Sequence, residues 1–240
     1  MTYPQRNRLA ILGYVKTTLE KAPFSDKSWT RANGDEIWGL NNLWKKQVKD
    51  FRFDRWWEMH ARGKSTKEEI DWLKQCGCSV YMLKHHEDIP QSIAYPITEA
   101  QAFFKVNYWT NSFSYELALA IMEGFKEIHL YGIDMSAIDG HGPPEVRDQR
   151  ASIEFFLGWA MALGTRVVIP PESDILHTAI MYGYDEHADS FRQKARARRI
   201  EYQKLAKTYR ESARYYDGAA EELEVIERTW GDAGANEEDR

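Results

Sequence analysis

The sequence predicts an α/β fold: a mostly parallel sheet with helices on both faces, followed by one long C-terminal helix. Three observations carry that expectation. Short apolar runs of strand length recur through about the first 180 residues, and the segments between them space their apolar residues at three and four. Residues 188–230 then contain no proline and a single glycine, Gly218.

In chain order the expected strands are Leu9–Tyr14, Glu36–Leu40, Phe53–Met59, Ser79–Leu83, Glu127–Ile133 and Arg166–Ile169. Between them, Lys67–Gln75, Ser112–Phe125 and Arg150–Leu163 have the pattern of amphipathic helices. Pro90, Pro96, Pro143, Pro144, Pro170 and Pro171 fall between periodic segments and mark loops. No internal repeat is visible. The expected organisation is a domain over 1–184, a long amphipathic helix over 185–230 and a disordered tail over 231–240. A heptad places Tyr202, Tyr209, Tyr216, Leu223 and Trp230 at one seam position and Leu205, Ser212, Ala219 and Ile226 at the other. Tyrosines suit a tight two-stranded zipper poorly, so packing on the domain's own flank and self-association as a coiled coil both stay open.

With 240 residues, 43% hydrophobic and 29% charged, the chain can bury one sizeable core and is not a disordered polymer. The charge-free stretch Phe155–Thr165 is far short of a bilayer span, and the N-terminus has no apolar signal core, so a cytoplasmic protein is expected. Cys76 and Cys78 form a C-G-C, neither a zinc pair nor a C-x-x-C, and read as reduced thiols beside a turn. The net charge of −5 hides an asymmetry: residues 191–215 hold nine Lys/Arg against two Asp/Glu, and residues 216–240 hold two against nine. Charge separated in blocks suggests pairing with another copy or with an anionic partner.

Ligands of open parallel sheets sit outside the carboxyl ends of the strands, near the reversal in strand order. The candidates at those ends are Gly13 with Lys16, Thr17 and Thr18; Asn41 and Asn42; Glu58 and His60; Thr110-Asn111-Ser112; Asp134; and Pro170 to Glu172. Such groups suit a nucleotide: amides for a base or ribose, and helix-start N–H groups for phosphate. Thr110-Asn111-Ser112 opens a helix and also reads as a plain N-cap. Asp134 is placed to hold a ribose or acceptor hydroxyl, or to cap its loop. The following loop brings His141, Glu145, Arg147, Gln149 and Arg150 ahead of a helix, as a lid with acid–base and anion-binding groups would, or as a solvated loop would. His85, His86, Glu87 and Asp88 are the one dense run of potential metal ligands, but neighbouring strand residues point to opposite faces, so no metal is expected. The absence of G-x-S-x-G, Walker and G-x-G-x-x-G patterns argues against hydrolase, P-loop and NAD-enzyme readings.

The stretch N-S-F-S-Y-E-L-A-L-A-I-M-E-G-F-K-E-I-H-L-Y-G-I-D-M, Asn111 to Met135, resembles the central segment of bacterial CMP-sialic-acid-dependent sialyltransferases, in which a T-S-G-x-Y helix start, an A-I-A-L-G-Y-K-E-I body and an L-x-G-I-D strand end occur in this order. Over most of residues 8–184 the chain also resembles a set of bacteriophage proteins, through Trp38-Gly39-Leu40-Asn41, Glu58-Met59-His60, Thr110-Asn111-Ser112 with Tyr115, and Gln149-Arg150. The resemblance implies a Rossmann-like, metal-independent nucleotide-sugar transferase. It implies that Asn41 and the Asn111-Ser112 pair contact a CMP donor, and it adds His60, Tyr115 and Gln149 to the pocket. The chain departs from the family at Phe113, which replaces the glycine of T-S-G, and at Ser136, which replaces a tyrosine. The family's histidine base aligns near Pro144, leaving His141 as a displaced substitute, and Gly13-Tyr14-Val15-Lys16-Thr17 lacks the small-proline-serine first loop.

The expected function is therefore a phage-encoded glycosyltransferase or related group transferase acting on a hydroxyl acceptor, with modified DNA among the acceptors through the basic 191–215 helix. Gly13, Asn41, Asn42, Thr110, Asn111, Ser112 and Asp134 would bind the nucleotide. His141 or Glu145 would serve as base, and Arg150 would stabilise the departing phosphate. Beyond the nucleotide-sugar co-substrate no cofactor is expected. The alternatives are a nucleotide-sequestering protein without turnover, oligomeric through its helix, and a structural phage protein with a vestigial transferase fold.

Overall fold

Seven strands, counted among the described residues, form one parallel sheet: β1 (Arg8–Leu12), β2 (Glu36–Leu40), β3 (Arg55–Glu58), β4 (Ser79–Met82), β5 (Ser92–Ala94), β6 (Glu127–Tyr131) and β7 (Arg166–Val168). The computed structural model describes residues 6–45, 52–135, 143–177 and 188–235. The sheet order is β5-β4-β3-β2-β1-β6-β7. The chain winds outward from β1 to β5, then returns to lay β6 and β7 on the other side of β1. Strand order thus reverses between β1 and β6, the place where open α/β sheets bind ligands.

The helices are α1 (Lys16–Leu19), α2 (Lys67–Gln75), α3 (Ile97–Phe104), α4 (Ser112–Glu123), α5 (Pro143–Ala162) and α6 (Ala188–Ala235). Alternation along the strands sends Leu9, Ile11, Trp38, Leu40, Trp57, Ile128 and Leu130 to one face, where Phe104, Leu117, Ile121 and Phe156 of α3, α4 and α5 cover them. Ala10, Leu12, Ile37, Trp56, Val80 and Met82 face the other way, against Leu19, Trp29 and Leu73. With both faces covered, β2 is buried at all five positions.

A charge cluster at the amino edge of the sheet orients α4. The buried Arg55 guanidinium reaches Glu36 at 2.8 Å and Glu123, near the end of α4, at 2.6 Å. Trp38 donates its indole N–H to Glu36 at 2.6 Å, and Arg6 pairs with Glu36 and Glu123. This ties the C-terminus of α4 to the first residues of β2 and β3. Its N-terminus therefore lies at the carboxyl edge.

Several sequence expectations are corrected. β5, α1 and α3 were not anticipated, and α5 starts at Pro143 rather than Arg150. Proline in a first helical turn forfeits only an N–H that has no intrahelical partner, so Pro143 and Pro144 open a helix instead of marking a loop. Glu145, Arg147, Gln149 and Arg150 accordingly belong to a helix. Pro96 is the N-cap residue of α3.

The chain divides into two units, Met1–His177 and Thr178–Arg240. Within the second, α6 is one 48-residue helix. It runs five residues past Trp230, where a disordered tail was expected; Gly231 and Gly234 cost a helix only about 1 kcal/mol each and do not by themselves stop it. Residues 236–240 lie outside the described residues. No helix among the described residues is long and apolar enough to cross a membrane.

Candidate active site

The carboxyl ends of β1 and β6 are joined through two glycines in direct backbone contact. Gly13 donates to the Tyr131 carbonyl at 2.7 Å and Val15 to the Gly132 carbonyl at 2.8 Å. A Cβ on Gly13 would lie 2.3 Å from the Gly132 oxygen. Gly132 itself sits at φ +69°, in left-handed space, and donates to the Thr18 hydroxyl at 2.9 Å. Gly13, expected to let a nucleotide approach, is occupied in letting two chain segments meet. A cavity of about 980 Å³ opens beside this junction on the α1 side, lined among others by Tyr14, Lys16, Trp29, His129 and Tyr131. That volume is at the upper end of the range for small-molecule pockets.

Next to it, the ends of β2 and β3 converge on Tyr14. The Tyr14 hydroxyl accepts from the Asn42 backbone N–H at 3.2 Å and also bonds the Asn41 side chain. Burial pushes this phenol well above its ordinary range, and the charge of Glu58 adds to the push. Asn41 holds φ +46°, which asparagine tolerates better than most residues, and its Oδ1 is buried without a hydrogen-bond partner. Asn42 is exposed.

Glu58, the last residue of β3, is 1% exposed. Its Oε1 accepts from the His60 backbone N–H at 3.1 Å and lies 2.6 Å from His60 Nδ1. The bond from Glu58 raises the His60 imidazole above its ordinary value, and it fixes Nδ1 as the protonated nitrogen of the neutral ring, leaving Nε2 as a base. Burial pushes the Glu58 carboxyl up, but bonds from His60 and from Glu69 of α2 bring it, on balance, below its usual value. Glu69 takes the proton: burial, then the neighbouring Glu58, push it up to about 7. Glu58 Oε2 is buried without another hydrogen-bond partner. In α4, Glu116 is fully buried with neither carboxyl oxygen hydrogen-bonded, and burial drives its pKa far upward, so it is held as the neutral acid.

The start of α4 forms the third part of the edge. Asn111 Oδ1 accepts from the Ser114 N–H at 3.0 Å, a regular N-cap, and the same side chain donates to the Gln149 carbonyl at 2.9 Å. Thr110 donates to the Asp148 carbonyl at 3.0 Å. Both residues thus dock α4 on α5, while the half-buried Ser112 stands in the first turn. Tyr115 packs edge-on against Tyr95, ring centres 4.9 Å apart. Beyond β6, Asp134 bonds the Asp174 carboxyl; burial and that bond push Asp174 up to about 6. Arg150 donates to Glu154 at 2.9 Å, to the Asp174 carboxylate at 2.8 Å, and to the carbonyls of Asp174 and His177. Most of its donors are engaged within the protein.

The predicted residues therefore gather at one edge in two groups: Gly13, Asn41, Asn42 and His60 around the ends of β1 to β3, and Thr110, Asn111, Ser112, Tyr115, Asp134, Gln149 and Arg150 around α4, α5 and β6. His141 lies outside the described residues, as does the side chain of Glu145. Sequence reasoning missed Tyr14, Glu69, Glu116 and Asp174 as members of the site. Glu116 carried a signal, as the one charged residue in the mostly apolar run from Phe113 to Met122. Among the described residues no group of three or more His, Cys, Asp or Glu side chains is arranged to hold a metal.

No protein-family model matches the chain, and no curated protein matches it. Among solved structures it is similar to the sialyltransferase CstII of Campylobacter jejuni in complex with cytidine-5'-monophosphate, at 14% identity and a TM-score of 0.44 over 69% of this chain and 80% of that one. It is also similar to the same enzyme with the substrate analogue CMP-3FNeuAc, at 14% identity and a TM-score of 0.41 over 68% and 79%. An asparagine-to-alanine variant of CST-II in complex with CMP gives 12% identity and a TM-score of 0.46 over 70% and 83%.

Proposed function

We propose that the carboxyl edge binds a nucleotide sugar and that the protein is a glycosyltransferase, or related group transferase, acting on a hydroxyl acceptor. The observation that carries this reading is that the α4 start, the paired asparagines after β2 and the Glu58–His60 pair all lie at the carboxyl edge of a sheet whose strand order reverses between β1 and β6. The sequence resemblance of Asn111–Met135 supports the same reading. The Ser112 turn of α4 would hold donor phosphate, and Asn41, whose Oδ1 lacks a partner, would accept a hydrogen bond from the base or ribose.

In the transfer step the acceptor oxygen forms a bond to the anomeric carbon while the bond from that carbon to the phosphate oxygen breaks. The electron pair leaves with the nucleoside phosphate, and the acceptor proton goes to a base. His141 and Glu145 remain proposed for that role. His60 joins them, because Glu58 holds its ring with Nε2 free to take a proton. The setting we propose is a phage enzyme in the host cytoplasm.

The test is incubation of the full chain with a panel of nucleotide sugars, with saccharides and modified DNA as acceptors, tracking release of nucleoside phosphate. Turnover that His60→Gln, His141→Ala or Glu145→Ala reduces by about a hundredfold or more is the expected result. Nucleotide binding without turnover would favour a sequestering protein, and the absence of both would refute the reading.

A further inference from the structure

The C-terminal helix presents an apolar seam to solvent. Tyr202, Leu205, Tyr209, Tyr216, Leu223 and Ile226 are 39–70% exposed, and all six occupy the two seam positions of one heptad pattern. Helices of this length expose such a stripe when a partner is missing. The partner must match a helix that is basic over 191–215, with nine Lys/Arg against two Asp/Glu, and acidic over 216–235, with six Asp/Glu against one Arg.

We propose that α6 pairs with α6 of a second copy as an antiparallel coiled coil, with the twofold axis beside Arg214. An antiparallel two-stranded coil sets each residue of one seam position against a residue of the other. With the axis at Arg214, Tyr209 meets the partner's Ala219 and Tyr216 meets the partner's Ser212. Each central tyrosine thus faces a small residue. Leu205 then meets the partner's Leu223, and Tyr202 the partner's Ile226. A parallel, in-register pair would instead stack tyrosine on tyrosine at both central layers, which crowds a tight two-stranded seam.

Two independent features fit the same register. On one flank of the seam the positions nearest the axis are Ala206, Ala213 and Ala220, small enough for close helix approach on that side; the other flank carries Thr208, Tyr215 and Glu222. The outer flanking positions are Arg199 and Glu227, and in this register Arg199 lies opposite the partner's Glu227, twice in the symmetric dimer. The basic residues 191–215 of each copy lie along the acidic 216–235 stretch of the other helix, so most of the opposed charge is neutralised. A parallel pair would set basic on basic and acidic on acidic. The second copy is thus favoured over a polyanion, which the acidic half would repel.

Sedimentation equilibrium of the full chain, run across a dilution series at low and high salt, tests the proposal. A dimer is expected, weakened at high salt. Arg199→Glu and Glu227→Arg should each weaken it by about tenfold, and the double variant should restore it. Ala219→Tyr, which would clash with the partner's Tyr209 but leaves a solvated single helix intact, should abolish it. A monomer at every concentration would overturn the proposal. So would a dimer indifferent to both charge reversals, or one that Arg199→Glu strengthens, as it would a parallel pair that sets basic on basic.

Discussion

Replacing Glu69 by glutamine should stabilise the protein at pH 8 and change little at pH 5. The folded state holds the Glu69 proton up to about pH 7, against an ordinary value of 4.5, because the carboxyl is buried beside Glu58. A carboxyl raised on folding contributes fully below 4.5; its contribution is lost as pH rises toward 7. Over that window the loss is ~3.4 kcal/mol at most, from 1.36 kcal/mol per pH unit. The solvated neighbour His60 screens the site, which reduces it to ~1.5 kcal/mol. Glutamine keeps an N–H donor for Glu58 Oε2 and carries no charge. Thermal unfolding in matched buffers should show a gain of ~3–6 °C at pH 8, from ~2–4 °C per kcal/mol, and only a few tenths of a kcal/mol at pH 5. Equal destabilisation at both pH values would refute the reasoning, because it would mean that Glu69 is ionised and holds His60 by charge.

Three further substitutions probe the rest of the edge. Gly13→Ala forces a Cβ to 2.3 Å from the Gly132 oxygen; it should cost about 3 kcal/mol in urea unfolding, because neither backbone segment can yield cheaply. Asn111→Ala removes the cap on Ser114 and the bond to the Gln149 carbonyl and should cost ~1–2 kcal/mol, whereas Asn111→Asp, which keeps the capping oxygen, should cost less. Glu116→Gln should raise the melting temperature at pH 8 far more than at pH 5, since burial of its unpartnered carboxyl penalises the ionised form most; an unchanged melting temperature at pH 8 would show that the acid has a partner.

The fold class was legible because a sheet covered on both faces demands near-continuous apolar strands, as in Glu36–Leu40, and those runs are visible by eye. β5 was not, since three residues between Pro90 and Pro96 are too few to show a period. The start of α5 was hidden by its own chemistry: paired prolines suit a loop and a first helical turn equally, and only the chain beyond them decides. At the site, residue type at a strand end was legible while commitment was not. Arg150 has the chemistry for a phosphate, but Asp174, 24 positions away, claims it. Asn111 reads from sequence as a cap or a binding group, and the cap is what its geometry shows.

Partnerships across the sequence also decide the charge of the edge, and this leads to a prediction the sequence alone could not supply. Glu69, Asp174 and Glu116 all retain protons to higher pH than ordinary carboxyls, Glu69 to about 7 and Asp174 to about 6. Near pH 6 the edge therefore bears fewer negative charges than its acids would suggest, which suits an anionic ligand. Raising the pH to 8 ionises Glu69 and Asp174 and sets two charges near the phosphate position proposed for the α4 start. At roughly 10 Å and an effective dielectric of about 40, each costs ~0.8 kcal/mol, so affinity should fall about tenfold in all. A nucleotide sugar is the proper probe, because its phosphodiester charge does not change over this range, unlike that of a free nucleoside monophosphate. Calorimetric titration at low salt should show the decline, and Glu69→Gln should recover about half of it on the logarithmic scale. An affinity that is flat or rises between pH 6 and 8 would place the phosphate away from this edge.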